Sequence, residues 1–288
     1  MKAKILVCCH KQDICETNEP FLPIQVGKAI SNVDLGILGD DTEDNISAKN
    51  SSYCELTGMY WAWKNISDAD IIGLCHYRRY FDFHSFGNDW APYSIKDTDQ
   101  FPMMDRSVPT GIIDKVRKGA VVIAKPTNCQ LSIMADYCCI HNSDDFKVLH
   151  RIVCETQPDQ IKRAFFKVMY CSNTRPSYNM FIMRKDDFDS YCQWLFDLLS
   201  NVERQIDITH YSAKQRRIFG YMGERLFKVW LLANEKKTIK KPVVWFADCD
   251  DPMRHASMIK YTLRCALNNI SVFLARPRYV NVMRADRI

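Results

Sequence analysis

The densest polar cluster in the chain is His76-Tyr77-Arg78-Arg79-Tyr80, which follows the apolar run Ile71 to Leu74. Two neighbouring guanidinium groups present planar forks of donors that match a diphosphate, and charge-assisted bonds of this kind are strong. Side chains alternate across a strand, so only one arginine of the pair lines a cleft unless the strand has already ended. His76 is of the right type to donate to a phosphate oxygen or to position a hydroxyl. The competing reading is a structural ion-pair cluster at a strand end, because such networks also perturb charges. Cations follow other apolar runs as well: His10 and Lys11 after KILVCC, Lys125 after AVVIA, and Arg184 with Lys185 after SYNMFIM. If these runs are neighbouring strands, their cations converge as a diphosphate site requires.

Those residues need a scaffold, and its strands and helices alternate. KILVCC, the run at Ile71, Ala120 to Pro126, Ser177 to Met183 and Pro242 to Phe246 read as strands. Between them, Ser52 to Glu55 has capping-box spacing and leads into LTGMYWAWKN. Phe188, Tyr191, Cys192, Leu195, Leu198 and Leu199 recur at helical spacing, and a further helix covers Tyr221 to Ala233, with Gly220 and Gly223 loosening its start. Such alternation predicts an α/β fold with a mostly parallel sheet flanked by helices. Ligands of open parallel sheets bind beyond the carboxyl ends of the strands. We divide the chain into residues 1–235, one large α/β domain, and 236–288, a C-terminal extension packed on it. In the extension, Arg264, Arg276, Arg278, Arg284 and Arg287 among Leu263, Leu267, Val272, Phe273 and Leu274 suit either a membrane-facing surface or a solvated helix pair.

Several chemistries are argued against. There is neither a phosphate-cradling G-x-x-x-x-G-K-[ST] loop nor a G-x-G-x-x-G, which speaks against ATP- or NAD-handling folds of those types. The thirteen cysteines are odd in number and include no C-x-x-C; Cys8-Cys9 and Cys138-Cys139 lack zinc-site spacing, so structural thiols are favoured over a cysteine-based metal protein. Met1 to Lys4 run directly into the first strand, from which we expect no signal peptide and a cytoplasmic protein. A net charge of +5 is too modest for nucleic-acid binding without a recognisable module. No apolar run approaches bilayer-spanning length.

Four longer strings, NISAKNSSYCELTGMYWAWKN, IIGLCHYRRYF, SYNMFIMRKDDFDSYCQWLF and RIFGYMGERLF, occur in this order. Together they closely resemble a formerly uncharacterised family of bacterial capsule, exopolysaccharide and O-antigen synthesis proteins. That family includes the galactofuranosyltransferase domain of an O-antigen polymerase. The resemblance runs from Lys4 to about Ala233. It implies a glycosyltransferase A-like fold acting at the inner face of the cytoplasmic membrane. It also implies that HYRRY stands near where other transferases place a metal-binding Asp-x-Asp. Asp248-Cys249-Asp250-Asp251 has the letters of such a clamp but comes late in the chain, and we expect no metal, manganese or magnesium being the alternative.

By matching position, the family strings mark Lys49, Asn50, Glu55, His76, Tyr77, Arg78, Arg79, Asn179, Arg217, Glu224 and Arg225. Glu55 also has a structural explanation as the capping-box partner of Ser52. Asn179 falls in a strand run, where an amide is an odd core residue unless it binds a sugar hydroxyl or caps the backbone. An inverting transfer needs a carboxylate base, and Glu224, at the mouth of a helix behind two glycines, is the candidate, with Asp186 or Asp187 in reserve. The function implied is transfer of a galactofuranose-like sugar from a UDP-sugar to a lipid-linked or growing cell-surface polysaccharide. The base would sit near His10 and Pro23 to Val26. His10, Lys11, Lys49, His76, Tyr77, Arg78, Arg79, Arg217 and Arg225 would serve donor binding. The alternative is a non-catalytic nucleotide-sugar or glycan-binding subunit, which fold alone does not separate.

Overall fold

The computed structural model describes residues 2–86, 93–95, 98–247 and 258–285, with the side chains of 93–94 and 276–285 excepted. In the opening strand β1 (Ala3–Cys9), Leu6 and Cys8 point into one core while Ile5, Val7 and Cys9 point into another, so the run is apolar on both faces. It is flanked in parallel by β2 (Phe21–Gln25) and β4 (Ile71–His76), and β2 carries the short parallel β3 (Leu38–Gly39). Beyond β4 lie β10 (Phe181–Arg184), β7 (Val121–Ala124) and β11 (Thr238–Lys241), while β8 (Thr127–Asn128) and β9 (Thr174–Arg175) pair apart from them. Helices α2 (Leu56–Asn65), α4 (Ile133–Ile140), α5 (Ser143–Thr156), α6 (Asp159–Met169), α7 (Lys185–Glu203) and α9 (Ile218–Ala233) fill the larger core on one face. The other face is covered in part by β5 (Arg79–Phe81), β6 (Tyr93–Ile95) and β12 (Val243–Phe246), with α3 (Thr110–Arg117) contributing Val116. The predicted α/β class holds. The sheet itself runs past residue 235, since β11 pairs with β7 and β12 with β5.

The direction of β10 differs from what the strand runs suggest. It lies antiparallel to both neighbours, with Arg184 opposite Ile71 and the Lys185 N–H donating to Asp70 O at 2.9 Å. Arg184 and Lys185 therefore stand at the amino edge of β4, far from the exit of β1, and pair with Asp187 and Asp189 on α7. Asp186 and Asp187, the reserve bases, go with them into the first turn of α7, where carboxylates offset the helix dipole. What reaches the carboxyl edge is the Tyr178–Asn179 turn ahead of β10. A strand's side-chain pattern carries no sign of its direction, so sequence alone does not separate the two.

The capping box is likewise replaced. Ser52 sits inside α1 (Asn50–Tyr53), its Oγ donating to Lys49 O, and the chain breaks at Cys54 with φ 54° before α2 begins. Glu55 makes no capping bond, and its side chain accepts from Asn179 instead. The later helix starts earlier than expected, at Ile218, so Gly220 and Gly223 lie within it. A Cβ on Gly220 would come 3.1 Å from Cys54 Sγ, and one on Gly223 would come 3.0 Å from Leu56 Cδ1. These glycines let α9 press against the α1–α2 corner.

Candidate active site

A cleft of about 460 Å³ opens at the carboxyl edge of the sheet. Its walls are Cys8 and His10 from the end of β1, His76, Tyr77 and Arg79 from the β4–β5 hairpin, and Cys54 and Glu55 from the helix corner. Tyr178, Glu224 of α9, and Arg216 and Arg217 beside α8 (Ala213–Arg216) complete it. A second cavity, about 480 Å³, lies at the opposite edge, but its Arg106 is already engaged by Glu16 at 2.5 Å and by Met104 O at 2.8 Å.

The HYRRY cluster is a tight hairpin. His76 pairs with Arg79 across it, leaving Tyr77 and Arg78 at the turn. Arg78 forms a fork on Asp13, with both Nε to Oδ1 and Nη2 to Oδ2 at 2.9 Å. Burial alone would raise the Asp13 carboxyl, yet the fork brings it below its usual range. Arg78 is thus a brace for the β1 loop and does not line the cleft, a correction to the expected pair of phosphate ligands. Arg79 is the one that does. Its guanidinium lies between two rings, 5.0 Å from the centroid of Tyr178 and 4.7 Å from that of Trp245, its cross-strand partner. Its buried Nε has no hydrogen-bond partner. Cation–π contacts hold the group in place without using its donors, which leaves them for an anion.

His76 is committed elsewhere. Its Nε2 lies 2.7 Å from Tyr178 O, and burial, then the charge of Arg79, hold its pKa down to about 3. The ring is neutral, donates through Nε2 to the carbonyl, and presents Nδ1 as an acceptor only, so it does not donate to phosphate as expected. Its bond helps pin a strained turn: Tyr178 and Asn179 both have left-handed backbones, φ 72° and 52°. Asn179 precedes β10 and is not part of it. Its Nδ2 donates to Glu55 Oε1 at 2.7 Å, and its buried Oδ1 has no partner. Asparagine tolerates this conformation, which is the signal an amide at this position carried.

The two cleft carboxylates differ. Glu224 lies in the interior of α9, not at its mouth, and both oxygens are used: Oε2 meets Arg175 Nη1 at 2.6 Å and Oε1 accepts from the Tyr178 N–H at 2.8 Å. Glu55 is half-buried, and burial raises its carboxyl above the usual range, against the lowering bond from Asn179. Arg217 stands over the corner, its Nε donating to Cys54 Sγ at 3.2 Å. His10 is lowered by burial and by Lys11, Arg217 and Arg79, an electropositive setting for an anion.

Three expected donor ligands do not join the cleft. Lys11 pairs with Asp13, and Lys49 pairs with Glu203 at 2.7 Å on another face. Arg225 is buried, bonded to Tyr221 O and to Asp136 beneath the Tyr137 ring, so it belongs to the packing of α9. Of the expected base seat, His10 and Val26 reach the cleft, while Pro23 to Gln25 belong to β2. Trp245, Tyr178 and Arg175 carry no sequence signal that marks them, since PVVWF is apolar throughout and neither Tyr178 nor Arg175 belongs to a cationic strand exit. Asp248 to Asp251 lie outside the described residues. The cysteines among the described residues are free thiols, and no three metal-ligating side chains cluster there.

Sheet, cleft and flanking helices define a glycosyltransferase A-like α/β architecture. Residues 4–236 match the family described as a domain of unknown function, DUF4422, and the chain belongs to it. The fold is similar to that of WbbM, a bifunctional glycosyltransferase solved in its apo form, with a TM-score of 0.72 and 28% sequence identity. The likeness covers 86% of this chain and 46% of WbbM, so the chain spans less than half the length of that protein. No curated protein matches it. Family and likeness together support the glycosyltransferase-related family that the four strings suggested. No helix among the described residues is long and apolar enough to cross a membrane.

Proposed function

We propose that the chain is an inverting glycosyltransferase that moves a sugar, galactofuranose-like, from a UDP-sugar to a lipid-linked or growing cell-surface polysaccharide. The observation that carries the reading is Arg79: a guanidinium held between two rings in a cleft at the carboxyl edge, with a buried donor unused. In the reaction, the acceptor hydroxyl gives its proton to a carboxylate while its oxygen bonds to the anomeric carbon. The nucleoside diphosphate departs from the opposite side with the bonding electron pair. Arg79 and Arg217 meet the charge that develops on it, a stabilisation that is large inside a preorganised site.

Geometry divides the carboxylate roles. Both oxygens of Glu224 are already committed, one to a guanidinium and one to a backbone N–H, so neither is placed to take a proton from an acceptor hydroxyl. We therefore assign the proton to Glu55 in place of Glu224, the candidate from sequence, and give Glu224 the task of anchoring the Tyr178 turn. A carboxylate raised by burial is destabilised in the resting protein, which favours an enzyme over a pure binding subunit. The cleft does not suit a divalent cation, because Arg79, Arg216 and Arg217 repel it and both oxygens of Glu224 are taken. The test is turnover of UDP-sugars, including UDP-galactofuranose, with and without EDTA. We expect release of UDP in both conditions. No turnover of any nucleotide sugar would sink the enzymatic reading, and activity lost to EDTA but restored by manganese would sink the arginine-held diphosphate.

A further inference from the structure

The helix α10 (Met258–Ala285) lies beyond the family match and meets the body along one seam. Asn268 and Val272 are buried there, and Asn268 Nδ2 donates to Asn128 Oδ1 at 2.7 Å. The opposite face carries Ile259, Leu263, Leu267, Ile270 and Leu274, which recur at every third or fourth position and so form one stripe. Their exposure runs from 56% at Ile270 to 69% at Leu274, and Phe273 beside them is 63% exposed. A helix seated on a globular body turns polar residues to water on that face; this one turns its largest apolar ones.

The charges say what covers the stripe. From Met258 to Ala285 the sequence holds Lys260, Arg264, Arg276, Arg278 and Arg284 and no Asp or Glu. We propose that α10 lies on an anionic lipid surface, with its outward stripe sunk into the boundary between headgroups and acyl chains. An apolar stripe accompanied only by cations is the make-up of an interfacial helix, since burial and attraction to acidic lipid act together. A second copy would cover the same stripe, but it would set cations against cations with no acidic residue of α10 to pair them. Because no described helix is long and apolar enough to cross, α10 rests along the surface rather than through it. If the transfer proposed above is correct, this attachment brings the cleft to the plane in which a lipid-linked acceptor diffuses. The attachment itself does not depend on that transfer.

The test is flotation of the full chain with vesicles of phosphatidylcholine, with and without phosphatidylglycerol. Binding is expected to the mixed vesicles and to weaken with salt. The double substitution Leu263→Asp and Leu267→Asp changes two exposed positions, and we expect it to lower partitioning about tenfold or more while the melting curve stays that of the parent. Lys260→Gln with Arg264→Gln keeps the stripe and is expected to weaken binding to acidic vesicles alone. Failure of the parent to float with acidic vesicles overturns the proposal, as does undiminished flotation of the Leu263→Asp, Leu267→Asp protein. A parent dimer in sedimentation equilibrium that those aspartates dissociate also overturns it, by assigning the stripe to a second copy.

Discussion

At the scale of single residues, the cleft is organised by what each charged group has already spent its bonds on. Arg78 and Arg79 are adjacent and chemically identical, yet one is closed in a fork on Asp13 and the other keeps a donor open between two rings. Glu55 and Glu224 divide in the same way. Glu55→Gln is expected to keep UDP binding and lose about a hundred- to ten-thousand-fold in turnover, with thermal stability equal or higher at neutral pH. The sign follows from its raised pKa: the folded state holds that proton more tightly than the unfolded chain, so ionisation at neutral pH costs stability that Gln does not. Glu224→Gln should instead lower stability, by loosening Arg175 and the Tyr178 turn. Steady-state kinetics with melting curves separate the two, and wild-type turnover in Glu55→Gln would return the base to Glu224. His76 makes a pH prediction of its own. Its folded pKa, about 3, lies below the ordinary imidazole value of 6.5, so its contribution is complete above pH 6.5 and is lost as pH falls toward the folded value. Urea unfolding between pH 7 and 4 should show a decline of up to about 1.4 kcal/mol per pH unit that is shallower in His76→Gln. Equal slopes would mean the ring is not neutral in the folded protein.

At the scale of elements, the strands and the main helices were legible because apolar runs and helical periodicity record burial directly. Direction, caps and corners were not. The spacing of Ser52 and Glu55 fits a capping box, but Cys54 adopts a left-handed backbone and swings Glu55 into the cleft. Likewise Asn179 fell within an apolar run but sits in the turn before it. Alternation did indicate that only one of Arg78 and Arg79 would face the cleft; which one depended on Asp13, sixty-five residues away in sequence. The α9–corner contact offers a test at this scale. At Gly220 an alanine gains about 1 kcal/mol of helix propensity, which offsets much of its crowding against Cys54. Valine is the diagnostic change: it is a poorer helix former and adds methyl groups where a Cβ alone already stands 3.1 Å from Cys54 Sγ. We expect Gly220→Val to cost about 1–3 kcal/mol and to lower turnover by shifting Glu55. Unchanged stability and turnover would show that the corner is slack.

At the scale of the whole molecule, the cleft is drawn from residues as far apart as Cys8 and Glu224, so a ligand bound there is coupled to the entire fold. UDP at about one hundred times its Kd should stabilise the protein by about 2.7 kcal/mol, visible as a rise in melting temperature. Arg79→Gln should lose that rise at the same UDP concentration while melting near the parent without ligand. A full UDP response in Arg79→Gln would remove Arg79 from the diphosphate site.

The reversed strand β10 bears on how the chain is made. It occupies the slot between β4 and β7, yet it is encoded more than fifty residues after β7, and the other neighbour of β7, β11, comes later still. During synthesis, Val121 to Ala124 are therefore an apolar strand with both edges open until residues 181–184 have left the ribosome. Pairings of such long sequence separation form slowly, and an unpaired apolar edge is the surface on which nascent chains aggregate. Whatever protects this protein during its production must cover that interval.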